Sequence, residues 1–457
     1  MKTIPTWITT APKLPTAKPA QQNHRLRNRH NINTCVRRNS GNNVTQGGCE
    51  YQRSFESGGR SPVAVTFWVL AALSTVTGLG MAWALGANSN SPPFAPAIGA
   101  NAISTMRAAF LVGVLAALGA LLQGGSISET VGRDLILGVG ITPLAATAGL
   151  LTAAGFMAFG VYSGYPVPAA FATTGAMVGV GLSLGGDPAV AKYQQLGLFW
   201  VLVPPVSGGL AYGTATLLRR DDIPETVGVP VLAAIVSGII ANIELGIIPG
   251  EAAQNSLAGF ASSVVELPAP TVQVAATVAF AAVGFLVIRR RTQASVERGI
   301  RTFLVALGSV VAFSSGGSQV GLATGPLETL FVSDLGLPTI ALLGLGAAGI
   351  LAGAWMGAPR LLQATSREYA QLGERRSIAA LVPGFIIAQI AIALGIPISF
   401  NNIVISGVIG GGLAAGSAGV SRRKIGVTVS FWVLTLATSV GVGYGLYWIL
   451  STGLGMQ

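Results

Sequence analysis

Val63-Ala-Val-Thr-Phe-Trp-Val-Leu-Ala-Ala-Leu-Ser-Thr-Val-Thr-Gly-Leu-Gly-Met-Ala-Trp-Ala-Leu85 contains no charged side chain. It is long enough to cross a bilayer as a helix, which takes about 20 apolar residues. The next stretch is unlike it. Gly86-Ala-Asn-Ser-Asn-Ser-Pro-Pro-Phe-Ala-Pro-Ala-Ile-Gly-Ala-Asn101 is polar and rich in proline, and a second apolar run follows directly. The same alternation continues to the C-terminus. Lipid offers no partner to backbone N–H and C=O groups, so such runs must be helices or parts of helices in a bundle. The alternating ten-residue pattern of a transmembrane β-barrel is not seen.

The spacing predicts an all-α polytopic membrane protein with about twelve crossings. They fall at Val63–Leu85, Ile103–Leu122, Leu135–Val161, Phe171–Leu184, Leu196–Leu218, Val227–Ile248, Thr271–Ile288, Thr302–Ser314, Leu337–Met356, Ser377–Leu394, Ile403–Ala418 and Ile425–Leu450. Several are short or flanked by Gly and Pro, which predicts broken or re-entrant helices.

Composition agrees: 51% of the chain is hydrophobic and only 9% charged, against about 25% charged in ordinary soluble domains. The 62 glycines suit close approach of membrane helices. The net charge of +11 is unevenly placed. Residues 1–62 carry ten Lys/Arg and two acids, whereas the remaining chain carries 17 against 14. Both cysteines (Cys35, Cys49) and both histidines (His24, His30) also lie in that first stretch. The hydrophobic body therefore lacks the residues for a soft-metal site, a thiol nucleophile or a Ser-His-Asp triad. The cysteines read as free thiols, with a disulfide or half of a metal site as alternatives. Residues 1–62 read as a disordered basic tail. Their abrupt polar composition also fits a start assigned too far upstream. No interleaved aromatics accompany the basic residues, so nucleic acid is not an expected partner.

Lys/Arg counts set orientation. With Val63 outside, four basic connections face the cytoplasm: Arg219–Arg220, Arg289–Arg301, Arg360–Arg376 and Arg422–Lys424. The connection Pro249–Pro270 holds Glu251 and Glu266 and no basic residue, and would lie outside. The protein is expected in the cell membrane as a multi-pass chain with its C-terminus outside. The basic tail would then be outside as well, against the rule.

An internal repeat runs through the body. Gly164-Tyr-Pro-Val precedes Gly175-Ala-Met-Val-Gly-Val-Gly-Leu182, and Gly395-Ile-Pro-Ile precedes Gly407-Val-Ile-Gly-Gly-Gly-Leu413. Each pair is followed by a Trp-led helix, Phe199-Trp-Val-Leu202 or Phe431-Trp-Val-Leu434. The organisation read from this is a tail (1–62), a first repeat (63–220), two linking helices with a loop (221–300), a second repeat (301–450) and a short C-terminal tail (451–457). Each repeat has five crossings. Seven crossings precede the second repeat, so it enters from the opposite face: inverted repeats, the usual architecture of secondary transporters.

Two interruptions fall at matching places, Gly86–Asn101 and Ser314-Ser-Gly-Gly-Ser-Gln-Val-Gly-Leu-Ala-Thr-Gly-Pro326. Broken helices expose backbone N–H groups that suit anions, and unwound carbonyls that suit cations. The plain alternative is a pair of connecting loops. A second matched pair of breaks sits at Pro166 and Pro397. Pro168-Ala-Ala-Phe171 is nearly apolar and reads as packing, whereas Ser399-Phe-Asn-Asn402 offers polar side chains. Candidate binding residues are Asn88, Ser89, Asn90, Ser91, Asn101, Ser315, Ser318, Gln319, Thr324, Ser399, Asn401 and Asn402, with Arg107 as an anion contact or a snorkelling side chain. Glu244 and Glu328 are the acids in or near crossings. Gly344-Leu-Gly-Ala-Ala-Gly349 matches a dinucleotide pattern but has no strand before it, so it reads as a packing surface.

At these breaks the sequence resembles the inorganic phosphate transporter family of permeases. That family has GANDVANA-like motifs opening each half and PVSTTH-like motifs later in each half. Gly86-Ala87-Asn88 resembles the opening motif of the first half, and Gly316-Gly317-Ser318 with Gly325-Pro326-Leu327 that of the second. Ser89 stands at the family's first aspartate, Ser318 and Gln319 at its second Asn-Asp pair, and only Ser399 is kept of the hydroxyls. The resemblance implies uptake of phosphate with Na⁺ or H⁺ as coupling ion, and no other cofactor. The expected partners are the lipid bilayer and inorganic phosphate or a similar oxyanion, with room for a homodimer. The alternatives are a transporter of sulfate or another solute on the same fold, and an uncoupled channel. A membrane-embedded enzyme would need paired acids, a His cluster or an activated nucleophile, and the body supplies none.

Overall fold

The computed structural model describes residues 62–89, 92–163, 167–248, 254–265, 267–414 and 422–455. The tail, both cysteines, both histidines, Asn90, Ser91 and Pro166 lie outside the described residues. Helices form where the chain is apolar on all sides, as it must be inside a bundle or against lipid. In chain order they are α1 (Pro62–Asn88), α2 (Ala95–Gly99), α3 (Thr105–Gln123), α4 (Gly125–Glu129), α5 (Pro143–Ser163), α6 (Ala169–Ser183), α7 (Val190–Leu217), α8 (Glu225–Ala241), α9 (Leu257–Val264), α10 (Ala269–Ala294), α11 (Val296–Thr324), α12 (Thr339–Leu372), α13 (Glu374–Ala393), α14 (Phe400–Leu413) and α15 (Arg422–Gly453). Two residue pairs, Ile136–Leu137 and Asp187–Pro188, bond as a minimal antiparallel ribbon.

Each of the twelve predicted crossings overlaps one of these helices, although Leu135–Val161 and Val227–Ile248 extend beyond α5 and α8 and the end of Ile403–Ala418 lies outside the described residues. Among the described residues nine are long and apolar enough to span a membrane, while α6, α8 and α14 are shorter. Burial sorts them into centre and periphery. In α11 and α13, 72% of the apolar window is buried, against 11% in α10. Both halves supply central helices, since α5 of the first half is 67% buried in the same sense, and α10 is the most exposed of the nine.

Packing repeats itself with partners exchanged. Helix α1 packs on α12 as α11 packs on α3. Likewise α1 packs on α5 as α11 on α13, and α6 on α15 as α14 on α7. The glycines show why. A Cβ on Gly86 would overlap the Ile350 carbonyl, and one on Gly353 the Trp83 carbonyl. In the other pair, Gly316 faces the Ala116 carbonyl and Gly119 the Phe313 carbonyl in the same manner. Small residues let the two backbones touch, which is how membrane helices associate without a hydrophobic gradient.

One expectation is overturned here. The polarity of 314–326 predicts a break, yet α11 runs unbroken through Thr324, and only Gly325–Leu327 tightens into a 3₁₀ turn. Proline first occurs at Pro326, and Gly316 and Gly317 are held against α3, so nothing in 314–324 forces the helix open. The first interruption is real but begins later than its polarity suggests: α1 continues to Asn88, and the chain turns through a 3₁₀ segment at Pro92–Phe94 before α2. A shorter correction concerns Glu244, which lies beyond the end of α8 and pairs by backbone with Ser256.

Candidate functional site

Each opening motif packs against the helix that carries the other. Near Gly78 of α1 lie Leu327 and the Ala323 carbonyl; near Gly308 of α11 lie Phe94 and the Pro93 carbonyl, 3.0 Å from an added Cβ. On α1, Asn88 is half-buried and Ser89 is buried, its amide donating to Leu85 O at 2.8 Å. Ser89 Oγ has no hydrogen-bond partner. On α11, Ser315, Ser318 and Gln319 are fully buried. Ser318 Oγ donates back to Ser315 O at 3.1 Å. Gln319 Nε2 reaches across the bundle to donate to Ile398 O at 3.1 Å, while Gln319 Oε1 is unpartnered.

That contact joins the second motif to the break at Pro397. Helix α13 ends in a Schellman arrangement: Ile396 N donates to Ala391 O, Gly395 N to Ile392 O, and Gly395 takes a φ of 60°. The chain then runs extended through Pro397 to Ser399 and starts α14. Ser399 and Asn402 are buried, and Asn402 Oδ1 has no partner; Asn401 is half-buried.

Helix α6 adds a feature that the sequence reading missed. Thr173 and Thr174 are buried and both hydroxyls lack partners. Threonines elsewhere in this bundle satisfy themselves on the preceding turn, as Thr147 does on Pro143 O and Thr152 on Ala148 O. Leaving a buried hydroxyl or amide oxygen unpaired costs about 1–3 kcal/mol. Among such residues, Ser89, Thr173, Thr174 and Asn402 stand at breaks or helix starts and Gln319 inside α11, so both halves contribute. Attention to Pro168–Phe171 hid the two threonines, which follow directly.

A second polar chain flanks this group. Gln123 of α3 donates to Gln389 Oε1 of α13 at 3.1 Å, and Gln389 Nε2 donates to Ser314 Oγ of α11 at 2.6 Å. A cleft of about 530 Å³, lined by Gln123, Gln389, Asn242, Glu244 and apolar residues of α8 and α13, opens beside it. Thr324 Oγ1 donates to Ser128 Oγ at 3.2 Å and ties the end of α11 to the segment after α3. Asn101 and Arg107 are exposed, and Asn101 adopts a positive φ of 53°. They are not gathered with the buried group.

Just beyond lies a charged cluster absent from the candidate residues. Arg133 Nε pairs with Glu328 Oε1 at 3.0 Å, and Lys192 Nζ with Asp134 Oδ2 at 3.3 Å. Among the described residues, no group of three or more His, Cys, Asp or Glu side chains is arranged to hold a metal ion.

Comparison with known proteins identifies the lineage. Residues 85–443 match the model of the phosphate transporter family. A protein of Thermococcus kodakarensis named among the phosphate permeases is 26% identical over 415 residues, covering 84% of this chain and 98% of its own. Inorganic phosphate transporter 2-1 of Arabidopsis thaliana chloroplasts is 24% identical over 424 residues, covering 82% of this chain and 71% of its own. A solved structure titled as the sodium-dependent phosphate transporter superposes with a TM-score of 0.72 at 22% identity, covering 84% of this chain and 99% of that one. The chain belongs to the phosphate transporter family and is a multi-pass membrane protein of transporter and not enzyme lineage.

Proposed function

We propose that this member of the phosphate transporter family is a secondary active transporter of inorganic phosphate, built as two inverted repeats of five crossings joined by α8 and α10. The observation that carries the reading is the pairing of Ser89 with Gln319. They follow the glycines Gly86 and Gly316 at the same spacing, in helices that make exchanged contacts, and each carries a buried oxygen with no partner. Unsatisfied oxygens at equivalent places in two crossing helices suit a ligand bound between repeats, the usual position in such transporters. Asn88, Ser318, Ser399, Asn401 and Asn402 complete the proposed site. The free hydroxyls of Ser89, Thr173 and Thr174 can donate to an oxyanion, whereas the unpartnered amide oxygens of Gln319 and Asn402 are acceptors and suit a cation.

Coupling follows the same logic. With Ser89 and Gln319 where the family has aspartates, a Na⁺ ion would be held by neutral hydroxyl, amide and backbone oxygens. The chain sits in the cell membrane with Arg219–Arg220 and Arg289–Arg301 inside and the C-terminus outside.

Radiolabelled phosphate uptake into proteoliposomes tests this reading. Uptake against a phosphate gradient, driven by inward Na⁺ or H⁺ and weakly inhibited by sulfate, is expected. Equilibration without accumulation under either gradient would make it a channel, and stronger competition by sulfate would reassign the substrate.

A further inference from the structure

We propose that Arg133 and Glu328 form a proton-gated entry site for the oxyanion: Glu328 holds the Arg133 guanidinium until its carboxyl is protonated, and Arg133 then turns to the incoming anion. The proposal rests on the transport reading above and concerns residues outside the site described there.

The geometry is asymmetric in a way a structural ion pair does not need. Arg133 is 45% exposed at its side chain, whereas Glu328 is 7% exposed. Glu328 gives Oε1 to Arg133, but Oε2 is buried with no partner. A carboxylate with an unpaired buried oxygen is costly as an anion and less so with a proton on that oxygen. Gly132 forms its wall: a Cβ there would approach Glu328 Oε2 to 3.1 Å. Burial pushes the Glu328 carboxyl above the ordinary range although Arg133 pulls it down, and Glu129 and Asp134 add to the rise.

The surroundings leave Arg133 as the group that can change partner. Lys192 is held by Asp134 and by Thr130 Oγ1 at 3.2 Å, and Asp134 is itself 46% exposed. Asp334, whose carboxyl burial also raises, lies at the far end of the turn that follows Glu328. Helices α1 and α5, which pack on Gly325–Leu327, bring no charged side chain. The cluster also touches the chain that bonds Gln319. A Cβ on Gly395 would meet Thr130 Oγ1 at 2.9 Å, and three residues on, Ile398 O accepts from Gln319. In the proposed orientation this is the outer face, where the anion arrives.

The proton balance is simple. Glu328 takes a proton from outer water on Oε2 and becomes neutral, the Arg133 N–H donors are released to the anion's oxygens, and the proton returns to outer water when the pair re-forms. Capture is therefore favoured as pH falls.

The test is the KM for phosphate uptake from pH 6 to pH 8 in wild type, Glu328→Gln and Arg133→Gln, each confirmed monodisperse by gel filtration. Phosphate itself titrates in this range, so variants are compared with wild type at each pH. The wild-type KM should rise about tenfold more than in Glu328→Gln, whose Arg133 is always released. Arg133→Gln should show at pH 6 the KM that wild type shows at pH 8. Matching curves for wild type and Glu328→Gln would overturn the proposal while leaving phosphate transport standing. Absence of wild-type uptake at every pH would sink the transport reading, and this proposal with it.

Discussion

Ser207 and Ser439 reach to opposite halves of the bundle: Ser207 Oγ donates to Ile403 O at 3.0 Å, and Ser439 Oγ shares its proton between Phe171 O at 3.3 Å and Leu436 O of its own helix at 3.0 Å. Both stand at the same distance after a Phe-Trp-Val-Leu run, and both acceptors lie in the first turn of the short helix after a proline break. Each half thus pins the start of the other's short helix, where Thr173, Thr174 and Asn402 carry unpartnered polar atoms. Ser207→Ala and Ser439→Ala should each destabilise the protein by about 1 kcal/mol. Thermal unfolding in detergent measures it. A melting temperature unchanged in both variants would deny these bonds a role.

Close backbone contact makes the glycine pairs intolerant of size. Gly316→Val and Gly119→Val should leave little monodisperse protein, because neither facing carbonyl can retreat without parting α3 from α11. Gly80→Ala is the control, since nothing lies within 4 Å of an added Cβ there. Fluorescence-detected gel filtration of the three variants reads the difference. Normal yield of Gly316→Val would mean that the two helices are not in backbone contact.

Gln319 offers two separable outcomes. Gln319→Leu removes the bond to Ile398 O along with the free oxygen, and should abolish uptake while the protein still inserts. Gln319→Glu places a carboxylate where the unpartnered amide oxygen stands, and should lower the Na⁺ concentration needed for half-maximal uptake. Asn88→Leu, at the end of α1, should likewise lose uptake without loss of insertion. Full activity of Gln319→Leu would remove this side chain from the binding site.

The nine long helices were legible because length and apolarity suffice to mark a membrane segment, whatever its partners. The break at Pro92–Pro93 was legible for a similar reason: proline lacks the N–H that a helix needs. Ser314–Thr324 was misread because Gly and Ser open helices in water but close-pack them in membranes, and which rule applies depends on the facing helix. Thr173 and Thr174 gave no local sign of being unsatisfied; that depends on what α15 and α11 place opposite them. The pairing of Arg133 with Glu328 joins segments far apart in the chain, and no spacing rule could have matched them.

The inverted relation of the repeats rests on α10 being a true crossing, and that can be tested from either end of it. The helix has 26 residues, a length of roughly 39 Å at 1.5 Å per residue, and its surface is largely unburied, as a lipid-facing span requires. Its C-terminal turns carry Arg289, Arg290 and Arg291, and Arg298 and Arg301 follow on α11. So many guanidinium groups are too costly to hold within the bilayer, which places that end at a surface and, by the positive-inside rule, in the cytoplasm. The other end follows α9, whose Ser263 is exposed. With Cys35 and Cys49 replaced by serine, a single cysteine introduced by Ser263→Cys should react with an impermeant maleimide in intact cells. One introduced by Arg298→Cys should react only after permeabilisation. Labelling of both from the same side would mean that α10 does not cross. An even number of crossings would then precede α11, the halves would run parallel, and the transporter architecture proposed here would be wrong.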